Sequence, residues 1–405
     1  MKQCRKIKVL FIPAFKFHSK VPHAGGKVLN YYFSQFYNSI DFEVGFGYST
    51  KKFDIDYNIA CKEYPNARDF SIIYSSLILS IYSIATKIAR IAFPNSKLII
   101  SSLETRNAIK RITRKAKLNW NPDIVVMDWT QANVWVSIVR KNLPNAKIIA
   151  VEHDVFFQSV SRLFPKNEKL YKYTINNEIN ALKLADKVIV FCEKDKELLR
   201  PYLGTNKILI ITPYYDRYIA FNEPFNQRNG IIFFGAMQRY ENIEAVKYFL
   251  ENIFPLLKCK DHIIFYCVGG GVPNNLIKKY STKNIIFTGF VDSPTEYFKK
   301  AFCLIVPLLH GAGIKIKVLE GMASGIPVIT NNIGIEGIPA NPGEHYIHCN
   351  SSEEYIKTID RLYEHREECQ YFANNAISFV NEKYSLDDSF IKYKQIVLRL
   401  KNEEI

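Results

Sequence analysis

Residues 187–213, KVIVFCEKDKELLRPYLGTNKILIITP, hold two β-branched apolar runs parted by a charged stretch with helical spacing. Such runs lack period-two alternation, because the strands of a parallel sheet are covered on both faces and joined through helices. The pattern recurs upstream in IKVLFIP (7–13), DIVVMD (123–128) and KIIAVEHD (147–154). It restarts downstream in GIIFFG (230–235), HIIFYCVG (262–269), NIIFTG (284–289), FCLIVP (302–307) and IPVIT (326–330), with helical segments such as NIEAVKYFLENIFPLL between them. The two series are separated by YYDRYIAFNEPFNQRNG (214–230), rich in Asn and turn-forming residues and without a clear period, which is the candidate linker. The sequence therefore predicts an α/β protein of two similar domains, 1–215 and 216–385, enclosing a cleft at the carboxyl ends of their strands. A final segment, 386–405, places Phe390, Tyr393, Ile396 and Leu400 at helical spacing and reads as a terminal amphipathic helix.

The length of 405 residues agrees with two domains, and 48% hydrophobic against 23% charged residues excludes wholesale disorder. Fifty-four Lys and Arg against 39 Asp and Glu leave a net charge of +15, which favours anionic partners without choosing among nucleotides, nucleic acid and an acidic membrane surface. The amino-terminal apolar run is short, ends in Pro13, Lys16 and His18, and has no small-residue cleavage site, so it reads as a buried first strand rather than a signal peptide. Eight cysteines, Cys4 among them, form no C-x-x-C pair and read as reduced core thiols of a cytosolic protein, with neither a disulfide framework nor a metal site.

One segment departs from the rest. FSIIYSSLILSIYSIAT, residues 70–86, carries no charge over nearly the ~17–20 residues that span a bilayer, but its Ser and Tyr content argues against a span. Arg106, Lys110, Arg111, Arg114, Lys115 and Lys117 follow closely. Two readings stay open: an apolar surface helix beside a polybasic patch that meets anionic lipid, or a core helix followed by a solvated basic face.

The segment richest in chemistry is PLLHGAGIKIKVLEGMASGIPVITNNIGIEGI, residues 307–338. A strand leads into Gly311, Ala312 and Gly313 and then into a helix, a junction that lets backbone N–H groups approach a phosphate. Lys315 and Lys317 add positive charge, and Glu320 lies three residues after Lys317 on the same helical face. A carboxylate can accept from both ribose hydroxyls and an ammonium can meet a diphosphate; the alternative is an ordinary i, i+3 surface salt bridge. His153, just past the strand KIIAVE, lies where α/β domains display functional residues, or is incidental to a helix cap at Asp154. The string Asp54-Ile55-Asp56 reads as a chance D-x-D, and Gly269–Gly271 as a tight turn.

The order of small-residue loop, Lys-Val-Leu-Glu, Met-Ala-Ser-Gly-Ile-Pro-Val-Ile and Gly-Ile-Glu-Gly resembles the donor-binding signature of the retaining glycosyltransferases of family 4. The resemblance extends to Gly25 and Gly26 in VPHAGGKVLNYYF, to GIIFFGAMQRYENIEAVKYFLENIFPLL, and to YCVGGG. It implies a GT-B fold: two Rossmann-like domains facing across a cleft, with the last helix returning to the first domain. It implies sugar transfer from a nucleoside diphosphate sugar to a saccharide or lipid-linked acceptor, with retention, without metal or other cofactor, and without nucleic acid. The setting implied is surface polysaccharide or glycolipid assembly; the expected location is the cytoplasm, peripheral on the inner face of the membrane where the 70–86 stretch and the basic cluster meet lipid. Residue by residue, Glu320 matches the second Glu of the family's Glu-x7-Glu element, which holds the ribose, while the first falls on Ala312. The family's diphosphate-binding Arg and Lys leave Arg239 and Asn242 after Gly235, with Lys317 as the substitute. His153 resembles the histidine that approaches the donor sugar, Glu336 lies near the nucleotide, and Gly25 and Gly26 match the glycine loop after the first strand. A GT-B epimerase and a non-catalytic sugar-nucleotide binding protein are the alternatives; a dinucleotide oxidoreductase is disfavoured because no G-x-G-x-x-G follows IKVLFIP.

Overall fold

The computed structural model describes residues 5–218 and 224–402. Cys4 and the linker residues 219–223 lie outside them. The chain divides into two units, Met1–Pro213 with Leu386–Ile405, and Tyr214–Ser385.

The first unit contains β1 (Ile7–Pro13), β2 (Phe42–Phe46), β3 (Ser49–Lys51), β4 (Arg68–Asp69), β5 (Ile72–Tyr74), β6 (Ile124–Asp128), β7 (Lys147–Val151), β8 (Lys187–Val190) and β9 (Ile208–Ile210). Seven of these form a parallel sheet in the order β4-β2-β1-β6-β7-β8-β9, while β3 and β5 pair separately. The β6 run IVVMD is buried at every position, as the absence of alternation predicts for a strand covered on both faces. In the second unit β10 (Gly230–Phe234), β11 (Ile264–Val268), β12 (Ile285–Gly289), β13 (Ala301–Val306), β14 (Val328–Thr330) and β15 (Ile347–His348) form a parallel sheet in the order β12-β11-β10-β13-β14-β15.

The carboxyl-terminal helix Leu386–Asn402 packs on the first-unit helix Ala24–Asn38. Phe36 meets Phe390 at 5.4 Å and Tyr393 at 5.1 Å, and Ser389 Oγ lies 2.6 Å from the Tyr32 hydroxyl and accepts from Thr212 N at 2.8 Å. The buried face runs through Ser389, Tyr393, Val397 and Leu400, which corrects the expected stripe: Ile396 is only half-buried, and Ser389 joins because it hydrogen-bonds the end of the sheet. The stretch 70–86 is also not one helix. Phe70, Ile72 and Tyr74 are built into the core around β5, and the helix begins at Ser76, capped by the Ser75 side chain accepting from Ile78 N. Among the described residues no helix is long and apolar enough to cross a membrane. The cysteines other than Cys4 are free thiols, all buried except the half-buried Cys61.

Tyr214 to Tyr218, read as linker from composition, are fastened to the second unit. The Tyr215 hydroxyl donates to Tyr384 O at 3.0 Å, and the Tyr218 ring packs against Phe298 and Phe234 at 5.0 and 5.7 Å.

Candidate functional site

In the second unit, the helix Ile316–Ala323 starts directly behind the 311–313 loop. The Lys317 side chain leaves its first turn, and its ammonium donates to Asn242 Oδ1 at 2.6 Å and lies 4.4 Å from the centre of the Phe233 ring. Asn242 is held in turn by its amide nitrogen, which donates to Ala236 O at 2.8 Å. Gly235 makes this arrangement possible: with φ at +150°, it sits where an added Cβ would stand 3.0 Å from Lys317 Nζ and 3.1 Å from Asn242 Nδ2. Burial brings the Lys317 ammonium down to about 7, and the charge of Arg239 acts in the same direction.

Glu320 points elsewhere. Its buried carboxylate accepts from Asp216 N at 3.4 Å and lies 3.5 Å from the Tyr218 hydroxyl. The i, i+3 salt bridge expected as the plain alternative is therefore not formed: among the described residues Lys317 has no ion-pair partner, because Asn242 takes its ammonium on the opposite flank. Tyr218 N donates to Ser324 Oγ at 2.8 Å, so the segment before residue 219 is bound along this helix. Burial, reinforced by the Glu320 charge, pushes the Tyr218 phenol far above its usual range.

Lys315 folds back on the glycine loop. Its ammonium donates to Ala312 O at 2.9 Å and Gly313 O at 2.5 Å and reaches Glu336 at 3.9 Å. The loop thus owes its shape to an internal cation. Ala312 itself is buried, and Gly311 lies beside the Lys315 stem. Arg239 differs from the expectation that it would serve a diphosphate: its guanidinium is exposed and paired at 2.5 Å with Glu241, in the first turn of the helix that Arg239 opens. The Gly269–Gly271 segment is more than a turn. Gly270 O accepts from Met237 N at 2.9 Å and Val268 O from Gly235 N at 3.0 Å, locking the loops after β10 and β11 together.

The first unit holds a second cluster. β6 and β7 pair with Asp128 opposite Val151, so the residues just past both strands stand side by side. His153 Nε2 lies 2.8 Å from Asp128 Oδ1, and its ring stacks on Trp129 with centroids 4.1 Å and planes 9° apart. Trp129 takes a left-handed φ of +73°, a costly conformation for a bulky residue that persists only where its surroundings fix it. Gly25, at the start of the Ala24–Asn38 helix, completes the packing: a Cβ there would fall 2.4 Å from the Trp129 ring and 3.2 Å from His153 Nδ1. The adjacent Gly26 N donates to the His23 side chain at 2.9 Å, which caps the helix.

Two carboxylates lie beneath this cluster. Glu152 is fully buried, accepting from the Thr130 hydroxyl and from Asn133 Nδ2, and burial followed by the charge of Glu178 holds its carboxyl well above the usual range. Glu178 accepts from Phe156 N and Phe157 N, both at 2.8 Å, while burial pushes it up to about 8. It thereby caps the helix Phe156–Leu163, the role that the sequence had offered to Asp154; Val155 occupies the cap position and has no side-chain oxygen. The Asp54-Ile55-Asp56 string is consumed locally, with Asp54 capping the helix Ile55–Glu63 and bonding Lys16, and Asp56 lying 3.2 Å from His18.

Of the residues singled out in the sequence, the structure joins Gly235, Asn242 and Lys317 in one place, Ala312, Gly313, Lys315 and Glu336 in another, and Gly25 with His153 in a third. Asp128 and Trp129 were missed, although DIVVMD was read as a strand and an acidic residue ending a central strand is itself a signal.

The whole chain resembles sucrose-phosphate synthase from Thermosynechococcus elongatus, with a TM-score of 0.74 at 14% identity over 98% of this chain and 100% of that one. Anabaena HepE in complex with UDP follows with a TM-score of 0.69 at 13% identity, over 97% and 100%. The fold is GT-B. Residues 228–365, which carry the Lys317 site, match the family model of the glycosyl transferases group 1. An uncharacterised 44.6 kDa protein in the cps region of Klebsiella pneumoniae is 24% identical over 297 residues, 67% of this chain and 73% of that protein. Family match and fold together support a glycosyltransferase.

Proposed function

We propose that the protein is a retaining, metal-independent glycosyltransferase of family 4 type that moves a sugar from a nucleoside diphosphate sugar to a saccharide or lipid-linked acceptor in polysaccharide assembly. The observation that carries this reading is the Lys317 ammonium, enclosed by Asn242, Gly235 and the Phe233 ring at a helix start within the segment matching glycosyl transferases group 1. An ammonium already withdrawn from water needs little reorganisation to stabilise the charge that builds on a departing diphosphate. Glu320 would hold the ribose, Lys315 and Glu336 would shape the loop over the nucleotide, and His153 would meet the donor sugar. A UDP sugar is the donor favoured by the complex of HepE with UDP, and polysaccharide assembly by the relative in the cps region. The reading places the enzyme in the cytoplasm.

The test is calorimetry of Glu320→Ala and Glu320→Gln with nucleoside and nucleoside diphosphate. Loss of two charge-assisted hydrogen bonds lowers affinity for both by about tenfold to a thousandfold. Binding equal to wild type removes the helix from the donor site.

A further inference from the structure

The helix Ser76–Ala92 is inverted relative to an ordinary surface helix. Its inward side, with Leu79, Tyr82 and Ala89, packs on the core of the first unit, and Thr86 Oγ1 accepts from Leu103 N at 3.1 Å. The outward side of such a helix is normally polar. Here it carries Leu77, Ile78, Ile81, Ile84, Ile88 and Ile91, whose exposures run from 41% to 83%. At about 100° per residue these six fall within an arc of about 140°. Phe93, 63% exposed, continues the stripe past the helix end.

The neighbouring helix, Leu103–Asn119, packs alongside through Asn107, whose amide bonds both the Tyr82 and the Tyr74 hydroxyls. Its solvent side presents Arg106, Lys110, Arg111, Arg114, Lys115 and Lys117, all exposed. None of them has an ion-pair partner among the described residues. The two helices contain a single carboxylate, Glu104, which is bonded to the Ser49 hydroxyl.

We infer that this surface rests on an anionic lipid bilayer, with the aliphatic stripe at the boundary of headgroups and acyl chains and the basic helix against the lipid phosphates. The inference goes beyond the reaction class and does not depend on it. Charge selects this occupant over a second copy of the chain: two copies joined along the stripe would bring their basic helices together with only Glu104, already bonded to Ser49, to answer them.

The experiment is co-sedimentation of the full chain with phosphatidylcholine vesicles, with and without phosphatidylglycerol, beside sedimentation equilibrium without lipid. Wild type binds the anionic vesicles and remains monomeric. Ile81→Ser/Ile84→Ser/Ile88→Ser and Lys110→Glu/Arg114→Glu/Lys117→Glu each lower partitioning by at least about tenfold with circular dichroism unchanged, since every altered side chain is exposed. Wild type that ignores anionic vesicles, or either variant binding as wild type does, overturns the proposal. So does a dimer abolished by the serine variant in a protein that binds no vesicles.

Discussion

In the second unit Gly311, Lys315, Lys317 and Glu320 lie within ten consecutive residues, whereas in the first unit Asp128, Trp129 and His153 come from two strand ends and Gly25 from a helix start. The first group is supplied by one loop and one helix, and Lys317 takes its direction from elsewhere, from Gly235 and Asn242 behind β10. The second exists only because β1, β6 and β7 are neighbours in register. A local cluster can shift with its loop and so suits a ligand that arrives and leaves. A cluster assembled across a sheet is rigid and can hold a strained residue such as Trp129.

The contrast breaks first at Lys317. Lys317→Met keeps the stem and removes the charge, and turnover should fall by about a hundredfold to a thousandfold. Affinity for a nucleoside diphosphate falls with it, while the bare nucleoside binds as before. Calorimetry and initial rates check this, and equal loss for both ligands would mean that the variant only damages packing.

Asp128→Asn probes the cross-sheet cluster. The carboxylate oxygen facing Nε2 keeps the proton of a neutral His153 ring on that nitrogen, and an amide can present its NH2 instead. Turnover should drop by roughly a hundredfold with donor affinity unchanged, since the residue acts through His153 alone. A matching loss in donor affinity would show that the two clusters do not divide binding from orientation.

A third expectation concerns pH. The Lys317 ammonium lies at about 7 in the free protein, against 10.5 for an ordinary lysine. Diphosphate needs the charged form, so above neutral pH binding must take up a proton, and affinity declines by up to about tenfold per pH unit. Calorimetry at alkaline pH in buffers of different ionisation heat should show proton uptake approaching one in wild type and none in Lys317→Met.

The smallest effect belongs to Glu152. Its folded carboxyl titrates above its unfolded value, so its contribution to stability is complete below the unfolded value and is lost as pH rises through the folded one. Glu152→Gln stays neutral throughout. It should match wild type at acid pH and become the more stable of the two as pH rises above the ordinary carboxylate range, read from urea midpoints of the folded chain.

These differences also explain what the sequence could and could not reveal. The paired series of β-branched runs and the GAGIKIKVLE motif are local, and both were legible. His153 was visible because it directly follows its strand. Asp128 was not linked to it, because their contact depends on which strands are neighbours, and order within a sheet is not written in any one segment. The pairing of β3 with β5 was hidden for another reason: residues 70–86 share one apolar composition, and only the cap at Ser75 divides core strand from surface helix. The direction of Lys317 toward Asn242 rather than Glu320 depended on Gly235, whose missing Cβ acts only once β10 and the helix are folded together.

The helix Leu386–Asn402 makes the first unit discontinuous along the chain, which sets an order of events on the ribosome. Residues up to Pro213 are made first, yet the aromatic face of Tyr32 and Phe36 stays uncovered until Tyr393 and Phe390 emerge. The second unit is synthesised later but is contiguous, so it is the first that can be completed. At ordinary translation rates the earlier unit waits on the order of 10 to 30 s for its last piece. That interval is when a nascent chain with an open aromatic face is most exposed to chaperones and to misassembly.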